Sequence, residues 1–114
     1  MENCIFCKIG RGEIPKKPEE KVYEDDLSMA FFDIHPKAPG HTILIPKAHY
    51  QWFEEMPDEV SDPLFRTAKS IAQKLKSEYS AELVRLSIVG TDMPHVHIHL
   101  IPLKRVDAGE GAGN

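Results

Sequence analysis

Two kinds of hydrophobic spacing divide the chain. Apolar residues alternate with polar ones, or form short runs that end at Asp, Gly or Pro, at 22–24, 29–34, 41–46, 83–89 and 95–101. Between 58 and 80 they recur instead at every third or fourth position. The first spacing is typical of β-strands and the second of an amphipathic helix. Because the strands are short and separated by turns, we expect an α+β fold with an antiparallel sheet of about five strands.

The long helix is predicted over residues 58–80, with Asp62 as the cap of its main body. Pro63 then takes the first helical position, where the N–H that proline lacks has no intrahelical partner in any case. A second, short helix is predicted within residues 4–9, before Gly10 loosens the chain.

Turn-forming residues set the predicted strand ends. Asp25 and Asp26 separate the first two runs, which predicts a hairpin. Two prolines and a glycine make 36–40 a loop, because proline cannot donate to a β-ladder. Pro102 is expected to end the last strand.

Three of the six histidines stand at alternate positions in the last strand, at His95, His97 and His99. Successive side chains of a strand point to opposite faces, so the three imidazoles are predicted to share one face. Imidazole can act as a nucleophile, a proton donor or acceptor, or a metal ligand. The spacing therefore leaves two chemistries open, metal binding and work on a phosphoryl group.

A second cluster surrounds Asp33, upstream of His41. A nucleotide base would fit between the side chains of Phe31 and Ile34, while the ribose hydroxyls would bond the Asp33 carboxylate. These residues favour the phosphoryl interpretation of the histidines.

Length and charge narrow the partners. The 114 residues suit one domain, predicted over 1–106 and followed by a flexible tail at 107–114. A formal net charge of −4 argues against long nucleic acid, which needs a basic face, and leaves small phosphorylated ligands open. With no secretory leader and no apolar run long enough to span a bilayer, we expect a cytoplasmic protein without membrane association.

The residues 95–101, Asp33–His41 and Ile5–Ile9, together with Pro46-Lys47-x-His49, resemble the histidine triad (HIT) superfamily, in particular its Hint-like branch of the zinc-binding bacterial type. The resemblance runs from Cys4 to Pro102. It implies the HIT-like fold and a homodimer whose sheets join edge to edge, with the long helix packing across the interface.

The implied activity is that of a hydrolase or transferase of purine nucleotides. It acts at the α-phosphate of AMP-linked substrates such as nucleoside phosphoramidates, through a nucleotidyl-histidine intermediate. Two alternatives stay open: a dinucleoside polyphosphate hydrolase on the same scaffold, and a nucleotide-binding regulatory module without turnover.

The same resemblance assigns roles to single residues. His97 is expected to be the nucleophile, His99 to assist the leaving group and His41 to line the phosphate site. The expected nucleotide-binding residues are Phe6, Ile14, Phe31, Asp33, Ile34, Gly90 and Thr91. The apolar members of this set are equally compatible with plain core positions, and no role is predicted for His35 beyond that of a solvated loop residue.

Cys4 and Cys7 have the two-residue gap of a zinc knuckle, which makes half of a tetrahedral site. The resemblance implies that His49 and His95 complete a closed, structural zinc site that does not activate water. The alternatives are a redox pair, two idle thiols, or a catalytic metal held by the triad histidines themselves.

One segment departs from the family pattern. Relatives commonly carry a longer loop with phosphate-binding side chains before the triad, whereas here Gly90–Pro94 leads directly into His95. Thr91 and nearby backbone N–H groups are the remaining phosphate donors, since Pro94 has no N–H. Asp92 would repel a phosphate unless its side chain points away.

Overall fold

A computed structural model describes residues 4–105 of the protein, which form five antiparallel strands, two α-helices and two short 3-10 helices. The α-helices are α1, Ile5–Gly10, and α2, Asp58–Glu78; the strands are β1, Lys21–Glu24, β2, Ser28–Phe32, β3, Thr42–Pro46, β4, Leu83–Ile88, and β5, Ile98–Leu103. The predicted α+β fold, with its long and short helix, is confirmed. The predicted tail at 107–114 and the end of the predicted domain at 106 lie outside the described residues.

The strands are ordered β1-β2-β3-β5-β4. The β1–β2 hairpin turns where the sequence predicts, because one Asp25 carboxylate oxygen accepts hydrogen bonds from the backbone N–H groups of Leu27 and Ser28, both at 2.8 Å. The later connection from β3 through α2 and β4 places β5 beside β3. The sheet thereby brings the histidine segment next to the strand that follows His41.

Both faces of the central strands are covered. Side chains on one face, including Ala30, Leu44 and Leu100, pack against α2 in one buried cluster. The alternate side chains, including Phe31 and Ile43, pack against α1 in a second cluster. Burial on both faces explains why β2 and β3 consist of almost continuous apolar runs.

Strand β4 forms one edge of the sheet, and Leu86 there is 46% exposed. The edge-to-edge homodimer stays a prediction. Among the described helices, none is both long and apolar enough to cross a membrane.

The predicted start of the long helix at residue 58 is confirmed, but the predicted cap of its main body at Asp62 is wrong. The helix begins at Asp58, and the N–H groups of Val60 and Ser61 both donate to the Pro57 carbonyl. Pro63 therefore lies inside the helix, and Asp62 does not cap it. The apolar face already begins at Val60, so an earlier start buries more of it.

Two strand boundaries also differ from the prediction. Strand β2 ends at Phe32, so that Asp33 and Ile34 lie beyond it, and β5 begins only at Ile98. Strand β5 continues through Pro102, which pairs with Val84. This position tolerates proline because the ladder between β3 and β5 stops at Leu100, leaving no partner for an N–H on that side.

The turn before His41 generates a stability prediction. Gly40 has a φ of +87°, and a Cβ there would lie 2.6 Å from the Tyr79 ring. Gly12 has a φ of +80° but open space around it. We expect Gly12→Ala to lower the free energy of unfolding by about 1–2 kcal/mol and Gly40→Ala by about 1–3 kcal/mol more, because only the second adds a clash. Equal losses in urea unfolding would contradict this.

Candidate active site and metal cluster

A pocket of about 440 Å³ opens between α1, the end of β2 and the segment before β5. Its apolar part is formed by side chains such as Phe6 and Phe31, and its polar part by Asp33, His97 and His99. This volume lies within the range of small-molecule sites. The predicted nucleotide and histidine residues thus meet at one pocket.

His97 presents one nitrogen for chemistry. Its ring is almost fully buried, and Nδ1 lies 2.8 Å from the backbone carbonyl of His95. A carbonyl can only accept, so Nδ1 carries the hydrogen and the lone pair is on Nε2. The Phe6 ring packs against His97 with a centroid distance of 5.0 Å. Neutral His97 is therefore held as a tautomer whose Nε2 can attack.

His99 receives its orientation from His41. The backbone N–H of Lys37 donates to His41 Nδ1 at 3.0 Å, which places the His41 hydrogen on Nε2. That Nε2 lies 2.9 Å from His99 Nδ1 and 3.4 Å from an Asp33 carboxylate oxygen. His99 Nδ1 therefore accepts, and the hydrogen of neutral His99 is on Nε2.

The predicted place of His41 is wrong in one respect. The side chain is buried behind His99 and does not line the pocket. It contacts the site only through His99 and Asp33. His41 can thus act on the pocket by positioning His99.

Burial keeps the imidazoles of His41 and His99 neutral. Burial lowers the pKa of His41, an effect that the Asp33 carboxylate opposes. Burial also lowers the pKa of His99, and the nearby His97 and His41 rings lower it further. Both side chains are therefore neutral at pH 7 before a ligand binds.

A second cluster lies behind His97 and consists of Cys4, Cys7, His49 and His95, whose potential ligand atoms are all within 4.8 Å of one another. His95 Nδ1 is 3.2 Å from Cys4 Sγ and 3.4 Å from Cys7 Sγ, and His49 Nδ1 is 3.1 Å from Cys7 Sγ. His95 Nε2 donates to the Pro46 carbonyl at 2.8 Å, so the lone pair of Nδ1 faces the sulfurs.

These donors fit a tetrahedral metal ion. Bonds of about 2.0–2.3 Å at tetrahedral angles separate ligand atoms by about 3.3–3.8 Å, close to the spacings observed. The bond from His95 to Pro46 is the outer contact that metal-bound imidazoles usually make. Burial and the neighbouring Cys4 raise the pKa of Cys7 to about 11. Redox chemistry and metal binding both need the thiolate, so it is the two imidazole nitrogens beside the sulfurs that favour a metal over a redox pair.

A metal held by the three triad histidines does not fit this geometry. His95 faces the cysteines, whereas His97 Nε2 and His99 face the pocket. His41, His99 and Asp33 form another compact group, but His41 Nε2 carries a hydrogen and offers no lone pair. The alternate histidines therefore serve two separate sites.

The family model of the HIT domain matches residues 14–106 of this chain. The chain belongs to the HIT-domain family. A HIT-like protein of Methanocaldococcus jannaschii is 42% identical over 87% of this chain and 78% of its own length. The adenosine 5′-monophosphoramidase of Saccharomyces cerevisiae is 38% identical over 93% of this chain and 66% of that protein. A HIT-family structure from Bacillus subtilis aligns with a TM-score of 0.81 at 36% identity, covering 98% of this chain and 78% of that one.

Several predicted nucleotide-binding residues of this HIT domain lie outside the pocket. Gly90 is buried against Trp52, where a Cβ would come within 2.6 Å of the ring, and its carbonyl accepts from Gln51. Thr91 is exposed, and neither residue lines the pocket. Ile14 packs beside α1 rather than in the pocket. The short loop before the triad thus uses Gly90 for packing.

The HIT domain brings other predicted residues to the pocket as expected. Phe6 and Phe31 form buried walls, and Asp33 lies at the polar end. Ile34 is 71% exposed and stands at the mouth with His35, which is an exposed loop residue as predicted.

The pocket also contains residues that the sequence did not single out as ligand contacts, among them Lys16, Met93 and Asp92. Lys16 Nζ lies 4.7 Å from the centre of the Phe31 ring, and Met93 packs beside the same apolar cluster. Asp92 does not point away: one carboxylate oxygen is 3.8 Å from His97 Nε2. Lys16 and Met93 stand in loops without periodicity, so no sequence signal identifies them.

The neutral state of His41 predicts a pH effect on stability. Since the native pKa lies below the ordinary 6.5, the unfolded state binds a proton first as the pH falls. We expect His41→Asn to reduce the stability that is lost between pH 7.5 and 5.5 by up to about 1 kcal/mol. His35→Asn, in an exposed loop, is the control and should leave the loss unchanged. An identical loss in wild type and His41→Asn, measured by urea unfolding, would contradict the prediction.

Proposed function

We propose that this HIT domain hydrolyses AMP-linked phosphoramidates at the α-phosphate, with His97 as the nucleophile. The observation that carries the proposal is the pairing at one pocket of a free His97 Nε2 with the oriented imidazole of His99. The relationship to the adenosine 5′-monophosphoramidase of Saccharomyces cerevisiae supports the same chemistry.

The pocket offers a place for each part of AMP. The base stacks among Phe6, Phe31 and Ile34, and the ribose hydroxyls donate to Asp33. One Asp33 oxygen accepts from the His35 N–H at 2.8 Å, which holds the carboxylate in place. The α-phosphate then lies at His97 and His99.

In the first step, His97 Nε2 attacks phosphorus and the P–N bond breaks. The phosphate anion favours the imidazolium form of His99, whose added Nδ1 hydrogen turns toward the Asp33 carboxylate, with an oxygen 4.0 Å from Nδ1. His99 then gives its Nε2 proton to the departing amine. The His95 carbonyl, which accepts from His97 Nδ1, stabilises the positive charge on the nucleotidyl-histidine. Covalent catalysis thus divides one difficult displacement into two.

In the second step, water attacks phosphorus and gives a proton to His99, which is now neutral. The P–Nε2 bond breaks, AMP leaves, and His97 returns to its neutral form. Atoms and charges balance over the cycle, since His99 ends with the proton that it donated.

Loss of His97 should abolish turnover. We expect His97→Ala to lower kcat/KM for adenosine 5′-phosphoramidate by about 10³-fold or more, because His97 Nε2 is the one imidazole lone pair that faces the phosphate position in the described part of the chain. Retained binding of AMP by the variant is the control for a folded site. Wild type as slow as the variant would leave the regulatory-module alternative, and faster cleavage of diadenosine tetraphosphate would favour the polyphosphate hydrolase.

We further propose that the metal at Cys4, Cys7, His49 and His95 is zinc. Two thiolates and two imidazoles are a common structural zinc set, and four protein ligands leave no position for a substrate water. The ion would neutralise the thiolates and tie α1 to the segment that holds His97. Phe6 on α1 and the His95 carbonyl, which both contact His97, would be fixed by the same link.

Zinc content tests this proposal. We expect about one zinc per chain in the wild type and in His97→Ala, and none in the double variant Cys4→Ser, Cys7→Ser. The double variant should also have a lower Tm, because metal binding contributes to folding. A wild type free of zinc after expression and refolding with zinc would refute the assignment.

A further inference from the structure

The side chain of Asp92 places a negative charge beside the reacting nitrogen. Its Oδ1 is 3.8 Å from His97 Nε2 and also accepts the Met93 N–H at 2.9 Å, which holds it toward the pocket. The side chain is 63% exposed and lines the pocket, so an incoming ligand meets it directly.

The short segment that carries Asp92 is anchored on both sides. Gly90 packs against Trp52 and bonds Gln51, while the N–H of Val96 donates to the Tyr50 carbonyl. Few residues separate these anchors, so the backbone has little freedom to carry Asp92 away from the pocket. The carboxylate therefore stays near the phosphate position when a substrate binds.

No fixed cation neutralises this carboxylate in the described part of the chain. The one basic side chain of the described residues within 4.0 Å of this carboxylate is His97 itself. Lys16, the one lysine that lines the pocket, lies over the Phe31 ring at the apolar part. Asp33, the other carboxylate of the pocket, bonds the His35 N–H and faces His41. Asp92 is thus the charged side chain nearest to His97 Nε2, where the proposed reaction takes place.

We propose that Asp92 selects substrates by the charge of the leaving group, favouring cationic and neutral amines over anionic groups such as polyphosphates. The inference rests on the proposed function and sharpens its substrate class. Asp92 is a specificity residue and is not required for the attack by His97.

The geometry of displacement places the leaving group within reach of this charge. The leaving atom departs in line with the attacking Nε2 and starts about 5 Å from it. It therefore lies within about 9 Å of Asp92, a distance comparable to the Debye length in physiological salt. A charge at the far end of a short amine lies on average a few ångströms farther away, so one unit of charge there should change kcat/KM by about 1.5- to threefold.

A matched substrate series tests the proposal. Three adenosine 5′-phosphoramidates differ only at the far end of the leaving amine: 1,3-diaminopropane is cationic, propylamine is neutral and β-alanine is anionic. For wild type we expect kcat/KM to fall in that order, with diadenosine tetraphosphate below the neutral compound. In Asp92→Asn, the ratio of the cationic to the anionic substrate should fall by about two- to tenfold.

The ratio of two substrates within one variant cancels any effect that the variant has on all substrates. Comparing that ratio between variants also cancels the different basicities of the amines. Asp62→Asn, which removes an equal charge from the opposite face of the sheet on α2, is the matched control and should keep the wild-type ratios. Asp92→Glu should restore them. Equal ratios in wild type and Asp92→Asn would overturn the proposal.

Binding separates this inference from the proposed function. If wild type hydrolyses none of the three compounds, the proposed function fails. The dissociation constants of the three compounds for His97→Ala, with and without Asp92→Asn, then decide on Asp92. An order that follows charge only when Asp92 is present supports charge selection, and identical orders refute it.

Discussion

The hydrogen bond from His97 Nδ1 to the backbone carbonyl of His95 connects the two sites of the molecule. It sets the tautomer of His97 and depends on where the main chain of His95 lies. The His95 ring is held in turn by the Pro46 carbonyl on one side and faces the two cysteines on the other. A shift of Cys4 or Cys7 that moves the His95 ring would therefore also move the carbonyl that accepts from His97.

Helix α1 makes the same connection through packing. Its first turn carries Cys7 toward the cluster, and Phe6 on the other side contacts both His97 and Phe31. A helix of one and a half turns is marginal by itself in water. Its position must come from tertiary contacts, and the cysteine and histidine donors are well placed to supply them.

The sequence predicted the strands, the long helix and the grouping of the histidines. Apolar residues at alternate positions, or at every third or fourth position, directly indicate which side chains are buried. The prediction failed where a tertiary contact overrides the local signal. Asp62 and Pro63 have the chemistry of a helix cap and a first helical position, yet the apolar face that begins at Val60 keeps both of them inside the helix. Gly90 fits a phosphate loop by composition, but packing against Trp52 uses it for another purpose. His41 belongs to the site as predicted, one layer further from the pocket than its motif indicates.

The charges of the pocket fit a site that binds its ligand weakly before reaction. At the end of the pocket that holds His97 and His99, burial lowers the pKa of His99 and the Asp92 carboxylate lies close by, whereas Lys16 lies at the apolar part. Ground-state attraction for an anion is therefore small. In the proposed mechanism, His99 carries positive charge when the phosphate binds and gives its proton to the departing amine, while positive charge develops on His97, the ring that becomes bonded to phosphorus. The charge therefore lies nearer to the phosphoryl group in the transition state than in the bound substrate. Interactions of this kind raise kcat, because they are stronger in the transition state than in the bound substrate.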